Sequence, residues 1–186
     1  MGKPRIVVGV SGATGFIYAA RALEMLRQLE VETHLVVSGA AQLTRSYETS
    51  YSDEEIKALA DVVYDIDDVG AAIASGSFLT MGMLIVPCSM HTLAAVALGL
   101  SDNLLTRAAD VTLKERRRLV LMTREAPLNL AHIRNMEQVT LMGGVVFPPV
   151  PALYHGFSSI DEMVSDSVAR ALGLFGLDVV GIKRWK

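Results

Sequence analysis

A single cysteine, Cys88, is all the thiol chemistry that the 186 residues offer, which excludes an intrachain disulfide and leaves no cysteine-built zinc motif. Long apolar runs are missing too. No stretch of about eighteen uncharged apolar residues occurs, so no membrane-spanning helix is expected. Basic residues form no run beyond Lys114–Arg118, and the formal net charge is −3, a poor footprint for nucleic acid. The apolar segment near the start is broken by Gly9, Gly12 and Gly15 and does not read as a signal peptide. Repeats, low-complexity segments and linkers are absent, so residues 1–186 read as one domain. Together these absences point to the cytoplasm, with no membrane and no nucleic acid as partner.

What the sequence has in excess is apolar surface. Hydrophobic residues make up 51% of the chain and the mean hydropathy is +0.38. In a chain without a span, that excess is expected at subunit interfaces, and a homo-oligomer follows.

The periodicity alternates. Arg5–Val10 reads as a buried strand, an apolar pattern through Ile17, Ala20, Leu23, Met25 and Leu26 has helical spacing, and Val31–Val37 reads as a second strand before a helix from Ala40 to about Tyr47. Asp53-Glu54-Glu55 suits the acidic first turn of a short helix. Met83–Val86 predicts a strand ended by Pro87. Helices are expected at 89–99 and 103–116, a strand at Leu119–Met122, a helix at 128–142, a strand at Val145–Phe147 and a last helix at 158–174. Strands alternating with helices predict an α/β fold: one doubly wound, mostly parallel sheet with helices on both faces, Rossmann-like. Ligands of such sheets bind beyond the carboxyl ends of the strands.

Three turns at those ends carry polar residues. Gly9-x-Ser11-Gly12-Ala13-Thr14-Gly15 sits between strand and helix, where glycines permit close backbone approach and helix N–H groups can meet an anion. A tight turn needing small residues explains the same pattern. The strand His34–Val37 ends in Ser38-Gly39, without the acid that holds a dinucleotide ribose, so a mononucleotide is favoured over NAD. Ser38 could cap the next helix or hydrogen-bond a phosphate. In Pro87-Cys88-Ser89-Met90-His91-Thr92, Ser89 and Thr92 open a helix. Two hydroxyl-rich helix starts at one sheet edge suit a phosphate and a ribityl chain. Cys88 reads as a small core residue and His91 as a surface or supporting one.

Charged residues follow other elements. Arg124-Glu125 succeeds a strand, and the Arg124 guanidinium offers a fork suited to phosphate or to an ion pair. Arg107 and Lys114, seven apart, share a helix face whose plain reading is solvation. The run Glu115–Arg118 reads as solvated surface. Tyr154 lies on a proline-fixed loop, Arg170 on the last helix, and Glu48 beside Tyr47. Read residue by residue, these make an anion-binding mononucleotide protein and no more.

Taken in order, Ser11–Gly15, Gly76-Ser77-Phe78, Pro87–Leu93, Arg107–Val111 with Lys114-Glu115, Arg124–Pro127 and Pro151–His155 resemble the UbiX-type flavin prenyltransferases. That family includes the small B components of hydroxyarylic acid decarboxylases. The resemblance runs from about residue 5 to Trp185. It implies transfer of a dimethylallyl group from dimethylallyl monophosphate to reduced FMN, giving prenylated FMN for a UbiD-type decarboxylase, and a homododecamer with the flavin between subunits. It implies FMN contacts from Gly12, Ala13, Thr14, Ser38, Ser89, Met90, His91, Thr92 and Arg124. It assigns the dimethylallyl phosphate to Lys114, Tyr154 and Arg170, with Arg107 from a neighbouring subunit, and proton transfer to Glu48 and Glu125. Phe78 stands where many members have Trp and offers a π face to an allyl cation; Thr14 stands where some have Ser. Asp65-Ile66-Asp67-Asp68 lacks the spacing of a magnesium-diphosphate motif, so a metal-independent reaction on a monophosphate is expected. Two other readings share the fold: a flavin-dependent cysteine-type decarboxylase, and a non-catalytic FMN carrier or accessory subunit. An NAD-dependent dehydrogenase is more distant.

Overall fold

The computed structural model describes residues 2–179. The chain beyond them, including Trp185 at the end of the resemblance, lies outside the described residues. Six strands form one parallel sheet: β1 (Arg5–Val10), β2 (Glu32–Val37), β3 (Val62–Tyr64), β4 (Gly82–Cys88), β5 (Arg118–Thr123) and β6 (Val145–Val146), in the order β3-β2-β1-β4-β5-β6. Every pairing is parallel, where the sequence led us to expect a mostly parallel sheet. The helices are α1 (Phe16–Gln28), α2 (Gly39–Glu48), α3 (Asp53–Ala58), α4 (Met90–Ala97), α5 (Leu104–Lys114), α6 (Leu130–Leu141) and α7 (Ile160–Gly173). No helix among the described residues is long and apolar enough to cross a membrane.

Strand alternation divides the core in two. Ile6, Val8, Leu84, Val86, Val120 and Met122 face α1 and α7, while Val7, Met83, Ile85, Leu119 and Leu121 face α4, α5 and α6. Both faces of the central strands are therefore apolar, which is why those strands read as continuous runs. Gly9 is small of necessity: a Cβ there would lie 2.8 Å from Met83 Cε and 3.2 Å from Leu105 Cγ.

One expectation fails locally, and one strand was not foreseen. Pro87 does not end its strand; β4 continues through Cys88, and the register with β5 shifts between Ile85 and Cys88, around a residue with no N–H to donate. The edge strand β3 is not evident in the sequence, because three residues of mixed burial carry no periodicity.

Candidate active site

The strand order reverses between β1 and β4, the position where parallel sheets open a crevice. Ser11, just past β1, is buried and stitches the crevice shut at its base. Its Oγ accepts from Ser89 N at 2.8 Å and donates to Pro87 O at 3.2 Å, and its own N–H donates to the same carbonyl at 3.2 Å. Ser89 caps α4 by accepting from Thr92 N at 3.2 Å, and its hydroxyl also donates to Thr92 Oγ1 at 3.1 Å. Ser38 caps α2 by accepting from Ala41 N at 3.2 Å. Each cap occupies one first-turn amide and leaves the others to a ligand.

These turns line a cavity of about 280 Å³ with Gly12, His91, Asn103 and Thr106. Gly12 meets α2 so closely that a Cβ would stand 2.4 Å from Ala40 Cβ. Hydroxyls, one amide side chain and three helix N-termini form a donor set for a phosphate and a polyhydroxylated chain, so the residues fit a flavin mononucleotide. The volume sits at the small end for ligand pockets, which run from about 300 Å³ upward, so a ring system would extend beyond it. Asn103 and Thr106 escaped the sequence reading. Their signal was the reciprocal cap they form at the start of α5, Thr106 N to Asn103 Oδ1 at 3.0 Å and Asn103 N to Thr106 Oγ1 at 3.3 Å. Ser11 appeared only within its motif, Met90 is half-buried at the start of α4, and Cys88 is fully buried in the core as expected. Burial pushes the Cys88 thiol strongly up, which suits a packing residue and not a nucleophile.

At the start of α1 two amides of the glycine turn are already engaged within the chain. Glu48, the last residue of α2, fills that helix start: its Oε2 accepts from Gly15 N at 2.7 Å and from Phe16 N at 2.9 Å. Gly15 needs its left-handed backbone (φ 101°), and a Cβ there would strike the Tyr18 ring at 2.8 Å. Partial burial raises the Glu48 carboxyl. Hydrogen bonds from Thr14, Phe16 and Gly15, with the charge of Arg124, outweigh it and hold the group below the usual carboxylate range. The same Arg124 charge opposes the burial that raises the Tyr18 phenol. Thus Thr14, Tyr18, Glu48 and Arg124 form one neighbourhood, and Tyr18 is a member that sequence reasoning did not name. Arg124 is anchored through its backbone N–H to Cys88 O at 3.2 Å, with its side chain exposed. Glu125 is exposed, its Oε1 accepting from Ala126 N at 3.0 Å.

A second group lies elsewhere. Lys114 ends α5, about 16 Å along the helix from Asn103. Phe78 precedes β4 and packs at the amino-terminal edge, its ring 4.9 Å from that of His34 and 5.0 Å from the Arg5 guanidinium. Arg107 donates to Ala74 O at 3.3 Å and to Asp110 Oδ2 at 2.8 Å, and Lys114 pairs with Glu115. Lys114 and Glu115 are exposed, in keeping with a solvated face, while Arg107 is half-buried against the protein. Arg117, read as solvated, is half-buried and bonded to two carbonyls. Tyr154 is 61% exposed and stacks edge-on with His155 at 4.4 Å, while exposed Arg170 lies over the Phe147 ring at 5.8 Å. Within one chain, then, Phe78 and Lys114 do not reach the Ser11–Ser38–Ser89 cavity.

Comparison with known proteins follows the same lines. The Flavoprotein family profile matches residues 1–172. The flavin prenyltransferase UbiX of Neisseria meningitidis is 60% identical over 182 residues, 98% of this chain and 96% of that protein. AnUbiX (PadA1), solved in complex with FMN and dimethylallyl pyrophosphate, superposes with a TM-score of 0.98 at 51% identity, covering 100% of this chain and 98% of that one. A dodecameric FMN-dependent UbiX-like decarboxylase from Escherichia coli O157:H7 gives 0.96 at 45% identity, with 98% and 99% covered.

Proposed function

The chain belongs to the Flavoprotein family and within it to the UbiX-type flavin prenyltransferases, and on that premise we propose that it moves a dimethylallyl group from dimethylallyl monophosphate to reduced FMN. The observation that carries this reading beyond flavin binding is the second group of residues. A carrier needs the hydroxyl-lined cavity and Arg124; it has no use for Lys114 and Phe78 at the other edge, or for Arg107 in the first turn of α5. That separation also supports a site completed between subunits, so that one protomer's Lys114 end meets a neighbour's flavin turn. A homododecamer, as in the E. coli relative, is the assembly we infer.

FMN supplies the reduced ring that accepts the prenyl group. The chain supplies the electrostatics. Breaking the allylic C–O bond leaves positive charge on the prenyl unit and negative charge on phosphate. Lys114, Arg107, Arg170 and the Tyr154 hydroxyl answer the second, and the Phe78 ring answers the first. Glu48 is gripped by two amides and the Thr14 hydroxyl, which keep it ionised; in this reading it is the proton acceptor. Glu125 is the second proton-handling group. The product goes to a UbiD-type decarboxylase, and the reaction takes place in the cytoplasm.

The test is anaerobic. Protein, reduced FMN and either dimethylallyl monophosphate or the diphosphate are mixed without added metal, and the flavin is weighed by mass spectrometry. A gain of one dimethylallyl unit, faster from the monophosphate, is expected, and the product should activate a flavin-free UbiD-type decarboxylase. Unmodified FMN with both donors would return the reading to a carrier. Glu125→Gln separates the two further, since a carrier would still support its decarboxylase.

A further inference from the structure

The segment that joins the short 3-10 turn at Ala72–Ala74 to β4 is held by more than its own bonds. Phe78 N donates to Ser75 O at 3.2 Å, closing a turn over Gly76 and Ser77, and the Ser75 and Ser77 hydroxyls lie 2.9 Å apart. From one side, the Arg117 guanidinium donates Nη2 to Gly76 O at 2.5 Å and Nη1 to Phe78 O at 2.8 Å. From the other, the Lys114–Glu115 pair presses on Gly76. A Cβ there would lie 2.1 Å from Glu115 Oε1 and 2.8 Å from Lys114 Nζ. Arg107 reaches the same segment at Ala74 O.

We propose that Arg117 is a positioning residue for the prenyl-donor end of the site, fixing the Gly76–Phe78 turn so that Lys114 and the Phe78 ring keep their places. The proposal rests on the reading of Lys114 as a donor-phosphate residue. Three physical points carry it. One planar fork spans two carbonyls two residues apart, which a lysine ammonium does not reproduce. The turn packs directly beneath Lys114, whose four-carbon stem has no rigidity of its own. A clamp displaced by about 1 Å can lose a factor of about 100 in rate, so a flexible cation benefits from a fixed floor. Phe78 is pinned at its far side as well. Its ring meets Arg5 and His34, which lie 2.9 and 3.0 Å from Glu32 Oε1.

Titration calorimetry on protein loaded with oxidised FMN, which does not turn over, measures donor binding apart from activity. Dimethylallyl monophosphate is titrated into wild type, R117K, G76A and K114A. R117K removes the fork, and G76A sets a methyl group of the same turn against the Lys114–Glu115 pair. Both are expected to weaken the donor by roughly tenfold, leaving the Kd of oxidised FMN and the assembly mass as in wild type. Donor affinity equal to wild type in either folded variant overturns the proposal. So does a parallel fall in donor and flavin affinity, which is what a merely structural role produces. If R117K does not fold, G76A decides alone. Wild-type donor affinity in K114A refutes the donor-site reading itself, and the proposal with it.

Discussion

Glu48 shows how one side chain can hold a fold element and, in the proposed reaction, a proton-transfer step. Its carboxylate replaces the side-chain cap that α1 lacks and stands in the field of Arg124. Glu48→Gln should keep FMN binding within a few-fold while lowering turnover by roughly 100-fold or more, the usual worth of a positioned base. The pH behaviour follows from its depressed pKa. Stability from a carboxylate held below its unfolded value is fully present above that value, about 4.3, and is lost as pH falls through the folded one. Denaturation at a series of pH values should therefore show a constant gap between wild type and Glu48→Gln from neutrality to about pH 5, closing below about pH 4. Cys88 makes the opposite case: buried and hard to ionise, it should resist alkylation in the native protein and react only after unfolding.

Among elements, the caps do double duty. Ser38 and Ser89 open α2 and α4 and line the cavity proposed to take FMN, so in that reading one residue joins helix stability to ligand binding. Ser38→Ala should cost about 1 kcal/mol in thermal or chemical unfolding and weaken FMN as well. Ser11→Ala should cost about 1–3 kcal/mol, because the Ser89 amide loses its partner in a part-buried turn. These elements were legible in the sequence because Ser38, Ser89 and their helices leave local marks: a hydroxyl before an apolar period, a glycine after a β-branched run. The edge strand β3 left none, since its three residues exist as a strand only by pairing with β2. Arg117 was misread for a related reason. In a row of four charges nothing local distinguishes the one that turns inward to carbonyls forty residues away.

At the scale of the whole molecule, a large apolar surface stays uncovered in the single chain. Leu98, Leu130, Ile133 and Leu141 are exposed along α4 and α6, Leu141 at 76%. Native mass spectrometry should find a dodecamer, and Leu98→Asp combined with Leu141→Asp should break it into smaller species. Those species should keep their far-ultraviolet dichroism and lose prenyl transfer, if the proposed site draws its other half from a neighbour. The sequence by itself determined the doubly wound order of strands and helices, the three polar turns at the carboxyl ends and the kinds of residue a flavin and a phosphate require. Those are set by near-neighbour periodicity and by chemistry that a residue carries wherever it sits. Only the tertiary structure decided that Glu48 closes the α1 start, that Ser11 ties two turns together, and that Phe78 and Lys114 lie away from their own chain's cavity. Such facts depend on which distant segments a parallel sheet lays side by side, and no local pattern records them.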